Sequence, residues 1–319
     1  MNGKNVLLLG GTGFIGYAVA EQLSRRGFDV TVPTRHVARA RHLLVLPTVE
    51  IVEADVHDRA TLDACVRSQN AVINLIGILH GDFERAHVAL PKAVAESCAR
   101  EHVQHLVHMS ALNADVDGPS EYLRSRGRGE AAVHDVARQH PQLAVTMFRP
   151  SVVFGEDDRF LNMFANLTKL SPFIPLGSPE ATFQPAWVED VARAIAMSLA
   201  LRETHGHTYP LVGPSVYSLR QLLLFVMELT GKHRPIIGLG ATLSAIQAAV
   251  FGMLPGKLIT LDNVRSMQIP NTSTELFPAI FGAAHAMEAI VPAYMGRVNE
   301  YPGRPRYDRF RSGAGRANN

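Results

Sequence analysis

The sequence predicts an α/β protein: a Rossmann-type, doubly wound parallel sheet with a small C-terminal α/β lobe. The first observation is Val6–Leu9, an uninterrupted apolar run typical of a buried parallel strand. The second is the alternation of strand-like and helix-like segments, which continues as far as Pro150. The third is the length of 319 residues, 47% of them hydrophobic, which is enough for a large core and an additional lobe.

The glycine-rich stretch over residues 6–16, VLLLGGTGFIG, joins the first strand to the first helix. Its glycines allow a tight turn and a close approach of the backbone to a pyrophosphate, and the helix over Tyr17–Arg26 points free N–H groups at that anion. Gly27 follows where a left-handed helix cap is expected. A tight turn without a ligand is the alternative, but the context favours a dinucleotide. The expected contacts are Gly10, Thr12, Gly13, Phe14, Ile15 and Gly16.

The remaining elements of the first half follow in order. Further strands are predicted at Asp29–Thr34, Val49–Ala54, Ala71–Gly77, His105–Ala111 and Ala144–Pro150. Helices are predicted at Arg59–Arg67, Arg85–Glu101 and Tyr122–Gln139, and Pro91 is expected to kink or restart the second of them. Crossover helices between parallel strands produce a doubly wound sheet.

Shorter elements follow Pro150. Helices are predicted at Phe160–Leu170, Glu189–Leu199 and Tyr217–Thr230, with a short strand at Thr182–Trp187 and a helix cap at Ser218. We therefore divide the chain into an NAD(P)-binding domain (1–155), a smaller substrate or partner lobe interleaved with the sheet edge (156–303), and a disordered basic tail (304–319).

The segment Leu239–Leu254 is unusually apolar and allows two interpretations. It is a helix buried in the small lobe, or it is a docking face for a membrane surface or a membrane complex. The arginine-rich end of the chain would strengthen the second by electrostatic attraction to anionic lipid.

Composition excludes several classes of function. A formal charge of +2 gives no indication of nucleic-acid binding, and no apolar run is long enough to span a bilayer. The two cysteines, Cys65 and Cys98, have no metal-ligand spacing and fit a reducing compartment. His105 and His108 are three apart in a strand and face opposite sides, so we expect no metal site. No leader is expected before the first strand, which predicts a cytoplasmic protein, peripheral at the inner membrane if the docking interpretation holds.

The end of the second strand favours NADP(H), with NAD(H) as the alternative. Arg35 follows Thr34, Arg39 comes soon after, and no carboxylate appears before Glu50. A guanidinium there suits the 2′-phosphate of NADP, whereas an acidic residue would bind the ribose of NAD. The alternative for Arg35 is a solvated loop charge. Further contacts are expected where the third and fourth strands end, from Asp55, Val56, Leu75, Ile76 and Gly77.

Several sequence motifs together resemble those of a known family. GGTGFIG at Gly10–Gly16, Asp55, the Asn74–Gly77 turn, Ser110, Tyr122 and the run RPSVVFG at Arg149–Gly155 look like an extended or atypical short-chain dehydrogenase/reductase, in the NAD-dependent epimerase/dehydratase superfamily. The phrases Leu75–Leu79, Ser110–Leu112, Phe183–Pro185 and Val188–Val191 are similar to the branch that contains the NADPH-binding accessory subunit of respiratory complex I and its bacterial relatives.

The resemblance implies roles for particular residues. Active members use a tyrosine as general acid/base, a lysine four residues later and a serine that polarises the substrate. Tyr122 and Ser110 match two of these, but the lysine position is Arg126. Pro150 and Val153 lie in the loop expected beside the nicotinamide. Two hypotheses follow: an NADPH-binding protein with weak or no catalysis, or an active NADP-dependent reductase or epimerase acting on a small molecule of quinone or isoprenoid metabolism.

Overall fold

Seven parallel strands form the central sheet of the computed structural model, which describes residues 4–240 and 260–296. The strands of all sheets in the described residues, in chain order, are β1 Asn5–Leu9, β2 Asp29–Thr34, β3 Val49–Glu53, β4 Ala71–Asn74, β5 His105–Met109, β6 Ala144–Pro150, β7 Val153–Phe154, β8 Ile174–Gly177, β9 Thr182–Phe183, β10 Ala186–Trp187, β11 Thr208–Leu211, β12 Tyr217–Ser218 and β13 Ile236–Leu239. The α-helices are α1 Phe14–Arg25, α2 Arg59–Val66, α3 Leu90–Arg100, α4 Glu121–Gln139, α5 Phe160–Leu170, α6 Val188–Ser198, α7 Leu219–Thr230, α8 Leu261–Ser266, α9 Met287–Ile290 and α10 Pro292–Met295.

The order of the central sheet is β11-β6-β5-β4-β1-β2-β3. The chain starts in the middle with β1, builds outward through β2 and β3, and then crosses to β4 on the other side. The carboxyl ends of β1 and β4 are therefore adjacent where the strand order reverses, which is where folds of this type bind their ligands. Buried residues cover both faces of the sheet, which confirms the predicted fold class.

Most predicted elements are present with small changes of boundary. β4 ends at Asn74 rather than Gly77 because the Asn74 side-chain oxygen accepts the N–H of Ile76 at 3.1 Å and turns the chain. The helix predicted at Arg85–Glu101 begins as a π-helical turn, Glu84–Ala89, and continues as α3 with Pro91 in its first turn. The predicted strand Thr182–Trp187 is divided into β9 and β10, which pair with β12 and β7.

The chain returns to the central sheet after residue 155. Helix α6 packs against α1 on one face of the sheet, and β11 pairs with β6 at its edge. The sequence pattern did not predict β11, because it has only four residues and Pro210 interrupts them. A separate core holds the smaller lobe together, where α5 and α7 pack against β8 and β13.

The C-terminal part of the chain is fixed to the sheet by Phe281 and by a buried carboxylate. Phe281 packs edge-on against Phe148. Asp190 on α6 accepts hydrogen bonds from the backbone N–H of His285 at 2.7 Å and from its ring at 2.8 Å, and forms an ion pair with Arg193 at 2.7 Å. The Asp190 carboxylate thus joins three polar groups in the interior.

Two sequence predictions concern residues outside the described part. The first is the apolar segment Leu239–Leu254, of which every residue after Gly240 lies outside the described residues. The second is the arginine-rich end, which lies outside them from residue 297 onward and includes the predicted tail. Among the described residues, no helix combines the length and hydrophobicity needed to cross a bilayer.

Replacing Asp190 is expected to destabilise the protein strongly. Asp190→Ala leaves Arg193 and the backbone of His285 without their buried acceptor, so the free energy of unfolding should fall by about 3–5 kcal/mol in urea titrations. The matched control is Glu21→Ala, which removes a carboxylate paired with Arg25 on the surface of α1. Its cost should stay within about 0.5 kcal/mol. Equal losses in the two variants would contradict a structural role for the Asp190 carboxylate.

Candidate functional site

The glycine turn after β1 has no room for side chains at two positions. Gly10 has φ +83°, and a Cβ there would lie 3.2 Å from the backbone nitrogen of Ile76. A Cβ on Gly16 would lie 2.2 Å from the carbonyl oxygen of Gly10. The glycines therefore allow the turn after β1 to touch both the first turn of α1 and the loop after β4.

The amino end of α1 is open toward this turn. Gly13 is the N-cap residue, no side chain caps the helix, and its first turn carries no acidic residue. The amide groups of Phe14, Ile15 and Gly16 belong to that turn, where a helix has unsatisfied N–H donors and a partial positive charge. Thr12 lies in the turn itself. These residues fit the pyrophosphate of a dinucleotide.

The loops after β2 and β3 form a charged region on the other side of α1. Arg35 and Asp55 are exposed, and the Asp55 side chain accepts the N–H of His57 at 3.1 Å. Burial, and next the charge of Arg85, lowers the pKa of His57. Arg39 is exposed on the 3-10 helix Val37–Val45. Val56 packs on the core next to Asp55.

Two buried histidines, His87 and His108, shape the loop after β4. Leu75 is the first residue of this loop and is buried, and Ile76 follows it. His108 contacts the Asn74 side-chain nitrogen at 3.2 Å, and the Nε2 atom of His87 accepts the N–H of Ile78 at 3.0 Å. Because Nε2 is the acceptor, the His87 proton is on Nδ1, 2.9 Å from the Ser125 hydroxyl oxygen. Burial, and next the charge of Arg126, lowers the pKa of both histidines to about 3. Both rings are therefore neutral.

Arg126 is a buried cation at the floor of the site. Its side chain donates a hydrogen bond to the carbonyl of Met109, at the end of β5, at 3.1 Å. A Cβ on Gly77 would lie 1.9 Å from a terminal nitrogen of its guanidinium, so these two residues are in direct contact. Among the described residues Arg126 forms no ion pair, and its Nε atom has no acceptor. A buried charge of this kind is costly unless a ligand neutralises or solvates it.

Tyr122 and Ser110 lie beside Arg126. The Arg126 guanidinium carbon is 5.5 Å from the centroid of the Tyr122 ring, a cation–π arrangement. Ser110 directly follows Met109, and its hydroxyl is buried with no hydrogen-bond partner. The ring of Tyr122 also makes edge contacts with Phe83 and His87. Tyr122 and Arg126 are thus in contact, and Ser110 directly follows the residue whose carbonyl accepts the Arg126 hydrogen bond.

Asp262 supports the helix that carries Tyr122, although no local sequence pattern predicted this role. Its carboxylate accepts the backbone N–H groups of Glu121 and Tyr122 at 2.8 and 2.9 Å, and the Ser120 hydroxyl accepts that of Leu123 at 3.2 Å. These contacts cap the first turn of α4 from a position about 140 residues later in the chain.

The structure therefore brings the predicted residues to one edge of the sheet. The pyrophosphate turn is in the middle, Arg35, Asp55 and Val56 lie beyond β2 and β3, and the Tyr122 cluster lies beyond β4 and β5. Pro150 ends β6, and Val153 is in β7, next to Gly155, which contacts the Phe14 ring. Within the described ranges, no group of three or more histidine, cysteine or acidic residues could hold a metal ion.

Comparisons with known proteins agree with this geometry. The NAD dependent epimerase/dehydratase family matches residues 6–211. The chain is 34% identical over 247 residues to the mouse protein named NADH dehydrogenase [ubiquinone] 1 alpha subcomplex subunit 9, mitochondrial, covering 74% of this chain and 63% of the mouse protein. It is 28% identical over 229 residues to the Neurospora crassa NADH-ubiquinone oxidoreductase 40 kDa subunit, mitochondrial, covering 70% and 59%. The chain thus spans less than two thirds of the length of these relatives.

Solved structures support the fold. MoeE5 in complex with UDP-glucuronic acid and NAD is similar with a TM-score of 0.64 at 20% identity, over 74% of this chain and 86% of that one. The protein gox2253 is similar with a TM-score of 0.65 at 21% identity, over 83% and 88%.

The buried histidines predict a marked loss of stability in acid. The pKa values of His87, His105 and His108 are lowered to about 3 in the folded protein, with burial as the largest cause. Between the unfolded value near 6.5 and the folded value, the unfolded chain binds more protons, so stability falls as the pH falls. Each histidine should contribute about 1.4 kcal/mol per pH unit, and the three together about 4.

Urea unfolding at several pH values measures this effect. Replacing one of the three, His105→Gln, should reduce the pH dependence by about a third, whereas His36→Gln, at an exposed position, should leave it unchanged. Identical pH dependence in the His105 variant and the parent protein would contradict a neutral buried imidazole.

Proposed function

The chain belongs to the NAD dependent epimerase/dehydratase family, and we propose that it is an NADPH-binding member with weak or no catalysis. The observation that carries this proposal is Arg126, which stands where active relatives have a lysine. Its guanidinium contacts Gly77, donates to the Met109 carbonyl and lies over the ring of Tyr122. These contacts support a role in holding the cofactor.

Arginine differs chemically from the lysine that it replaces. A lysine ammonium is a compact charge with rotatable donors, whereas the guanidinium is planar, larger and always charged. At this site, the Arg126 guanidinium is already oriented by its hydrogen bond to the Met109 carbonyl, and it packs against Gly77. A substitution of this type preserves a positive charge near the cofactor but changes the hydrogen bonds on which proton transfer from Tyr122 would depend.

The preference for NADPH rests on the charges beyond β2. Arg35 is exposed directly after the strand, Arg39 is exposed on the 3-10 helix that follows, and β2 ends without a carboxylate. A guanidinium near the expected position of the adenine ribose suits a 2′-phosphate. Family relatives with solved structures are described with NAD, so NAD(H) binding is the alternative.

The second candidate is an active NADP-dependent reductase or epimerase. It is favoured by the Ser110 hydroxyl, which is buried without a hydrogen-bond partner and follows Met109, whose carbonyl accepts from Arg126. In this case Tyr122 would be the general acid/base and Ser110 would polarise the substrate carbonyl. When bound, NADPH would supply the hydride.

The relatives suggest a partner. Those named above are subunits of NADH–ubiquinone oxidoreductases, by their names. We propose that this chain likewise associates with a membrane respiratory complex and has a peripheral position at the inner membrane, on the cytoplasmic side. Because the chain spans only 63% of the mouse relative, this association rests on similarity over part of that protein.

Arg35→Ala should discriminate between the two dinucleotides. Losing charge-assisted hydrogen bonds to a 2′-phosphate should weaken NADPH binding roughly 10- to 100-fold, while NADH binding changes little. Titration with each nucleotide, followed by fluorescence of the reduced nicotinamide, measures both affinities. Arg41→Ala is the matched control, an exposed arginine on the following 3-10 helix. Equal losses for NADPH and NADH would remove the argument for a phosphate contact.

Variants of Tyr122 and Arg126 should distinguish binding from catalysis. The dinucleotide that copurifies with the chain is identified first, and oxidation of bound NADPH by a panel of carbonyl compounds is then followed. We expect tight NADPH binding without turnover, and Tyr122→Phe should leave the affinity within about threefold, because its hydroxyl has no assigned role in binding. Arg126→Lys restores the tyrosine–lysine pair and is the variant in which turnover should first appear. Turnover by the parent protein that Tyr122→Phe abolishes would establish the second candidate instead.

A further inference from the structure

One surface of the smaller lobe combines exposed apolar side chains with positive charge. Strands β8 and β13 form a two-stranded parallel sheet in which Ile236 is paired with Ile174 and Ile237 with Pro175. Ile174 and Leu176 point into the lobe core, so Phe173, Pro175 and Ile237 lie on the opposite face. We name this outer surface, together with Leu170 at the end of α5, the β8–β13 face.

The apolar side chains of the β8–β13 face protrude. Leu170 is 84% exposed, Phe173 47% and Ile237 49%. Leu170 is connected to the sheet by a short turn in which the Ser171 hydroxyl donates to the carbonyl of Phe173. Three large apolar side chains are therefore exposed within one small region of the surface. A single exposed apolar side chain is common in proteins, but a group of them indicates an interaction site.

Basic residues are close in sequence to these side chains, and the same two stretches contain no acidic residues. Residues 166–178 and 231–240 contain Lys169, Lys232, His233 and Arg234 but no aspartate or glutamate. Arg234 is held at the end of α5 by a hydrogen bond to the Thr168 carbonyl at 3.1 Å, whereas Lys169 and Lys232 are exposed. The first carboxylate after β8, Glu180, is ion-paired with Arg220 at 3.7 Å.

We propose that the β8–β13 face binds the surface of a bilayer that contains anionic phospholipid. Phe173, Ile237 and Leu170 enter the boundary between headgroups and acyl chains, and Lys169, Lys232 and Arg234 contact the headgroup phosphates. A few protruding apolar side chains within a positive rim suit a lipid surface, which needs no matching shape. A protein interface of ordinary size would need a much larger complementary area.

This proposal rests on the peripheral position proposed above and is independent of cofactor binding. The full chain is mixed with phosphatidylcholine vesicles, with or without phosphatidylglycerol, and bound protein is measured by flotation. Binding should require phosphatidylglycerol and should weaken as salt is added, because the attraction is electrostatic. NADPH affinity is measured on the same samples, so that failure of the lipid site and failure of the cofactor site are distinguishable.

Charge reversal at the face should abolish most of the binding. The double variant Lys169→Glu with Lys232→Glu should reduce vesicle partitioning at least about tenfold, since each basic residue near an anionic surface contributes roughly fivefold. The matched control is Lys4→Glu with Lys92→Glu, which changes the net charge equally at exposed positions elsewhere. Phe173→Glu should also weaken binding, whereas Leu276→Glu, at a side chain that is 75% exposed outside the face, should not.

Three results would overturn the proposal. The full chain could fail to bind anionic vesicles while still binding NADPH. Binding could be equally strong in the Lys169/Lys232 variant and its control, which would assign lipid contact to another part of the chain. Finally, Phe173→Glu could lower the melting temperature without changing vesicle binding. That result would mean that another part of the chain, and not lipid, contacts this face.

Discussion

The close contact between the turn after β1 and the loop after β4 is the constraint on which the site depends. Gly10 touches Ile76, and the next residue, Gly77, touches the guanidinium of Arg126. A side chain at Gly10 would push the turn after β1 away from the backbone of Leu75 and Ile76, and one at Gly77 would displace the Arg126 guanidinium. The two halves of the site are therefore packed together, through backbone at Gly10 and through the Arg126 side chain at Gly77.

Burial, reinforced by the permanent charge of Arg126, keeps the two neighbouring histidines unprotonated. His87 and His108 are neutral because burial and this cation both oppose a second positive charge. A neutral His87 can accept the N–H of Ile78, and His108 can likewise accept from Asn74, so the charge on α4 also fixes the hydrogen bonds that shape the loop after β4. A lysine could respond to such burial by losing its proton, whereas arginine cannot. The site consequently keeps a positive charge at Arg126.

Local patterns predicted most of the fold because they report on single elements. The bounds of β2 and β6 are as predicted, and Gly27 has the left-handed φ of +70° that its position after α1 implied. Contacts between distant residues have no such local signal. The edge strand β11, the capping of α4 by Asp262 and the role of His87 depend on chain segments that meet only in the folded protein. The sequence indicated which residues meet at this edge of the sheet, but not the distant residues that hold them there.

One stretch of the chain joins the loops along the rim of the site. Asp262 caps α4, the Pro270 carbonyl accepts from Asn113 at 2.7 Å, Asn271 accepts from Ser151 at 2.6 Å, and Ser273 donates to Gln184 at 3.0 Å. These contacts link the loops after β5, β6 and β9 to the helix of Tyr122. One segment, residues 262–273, therefore joins these loops to the first turn of α4. The position of Tyr122 consequently depends on contacts made by residues about 140 positions later in the chain.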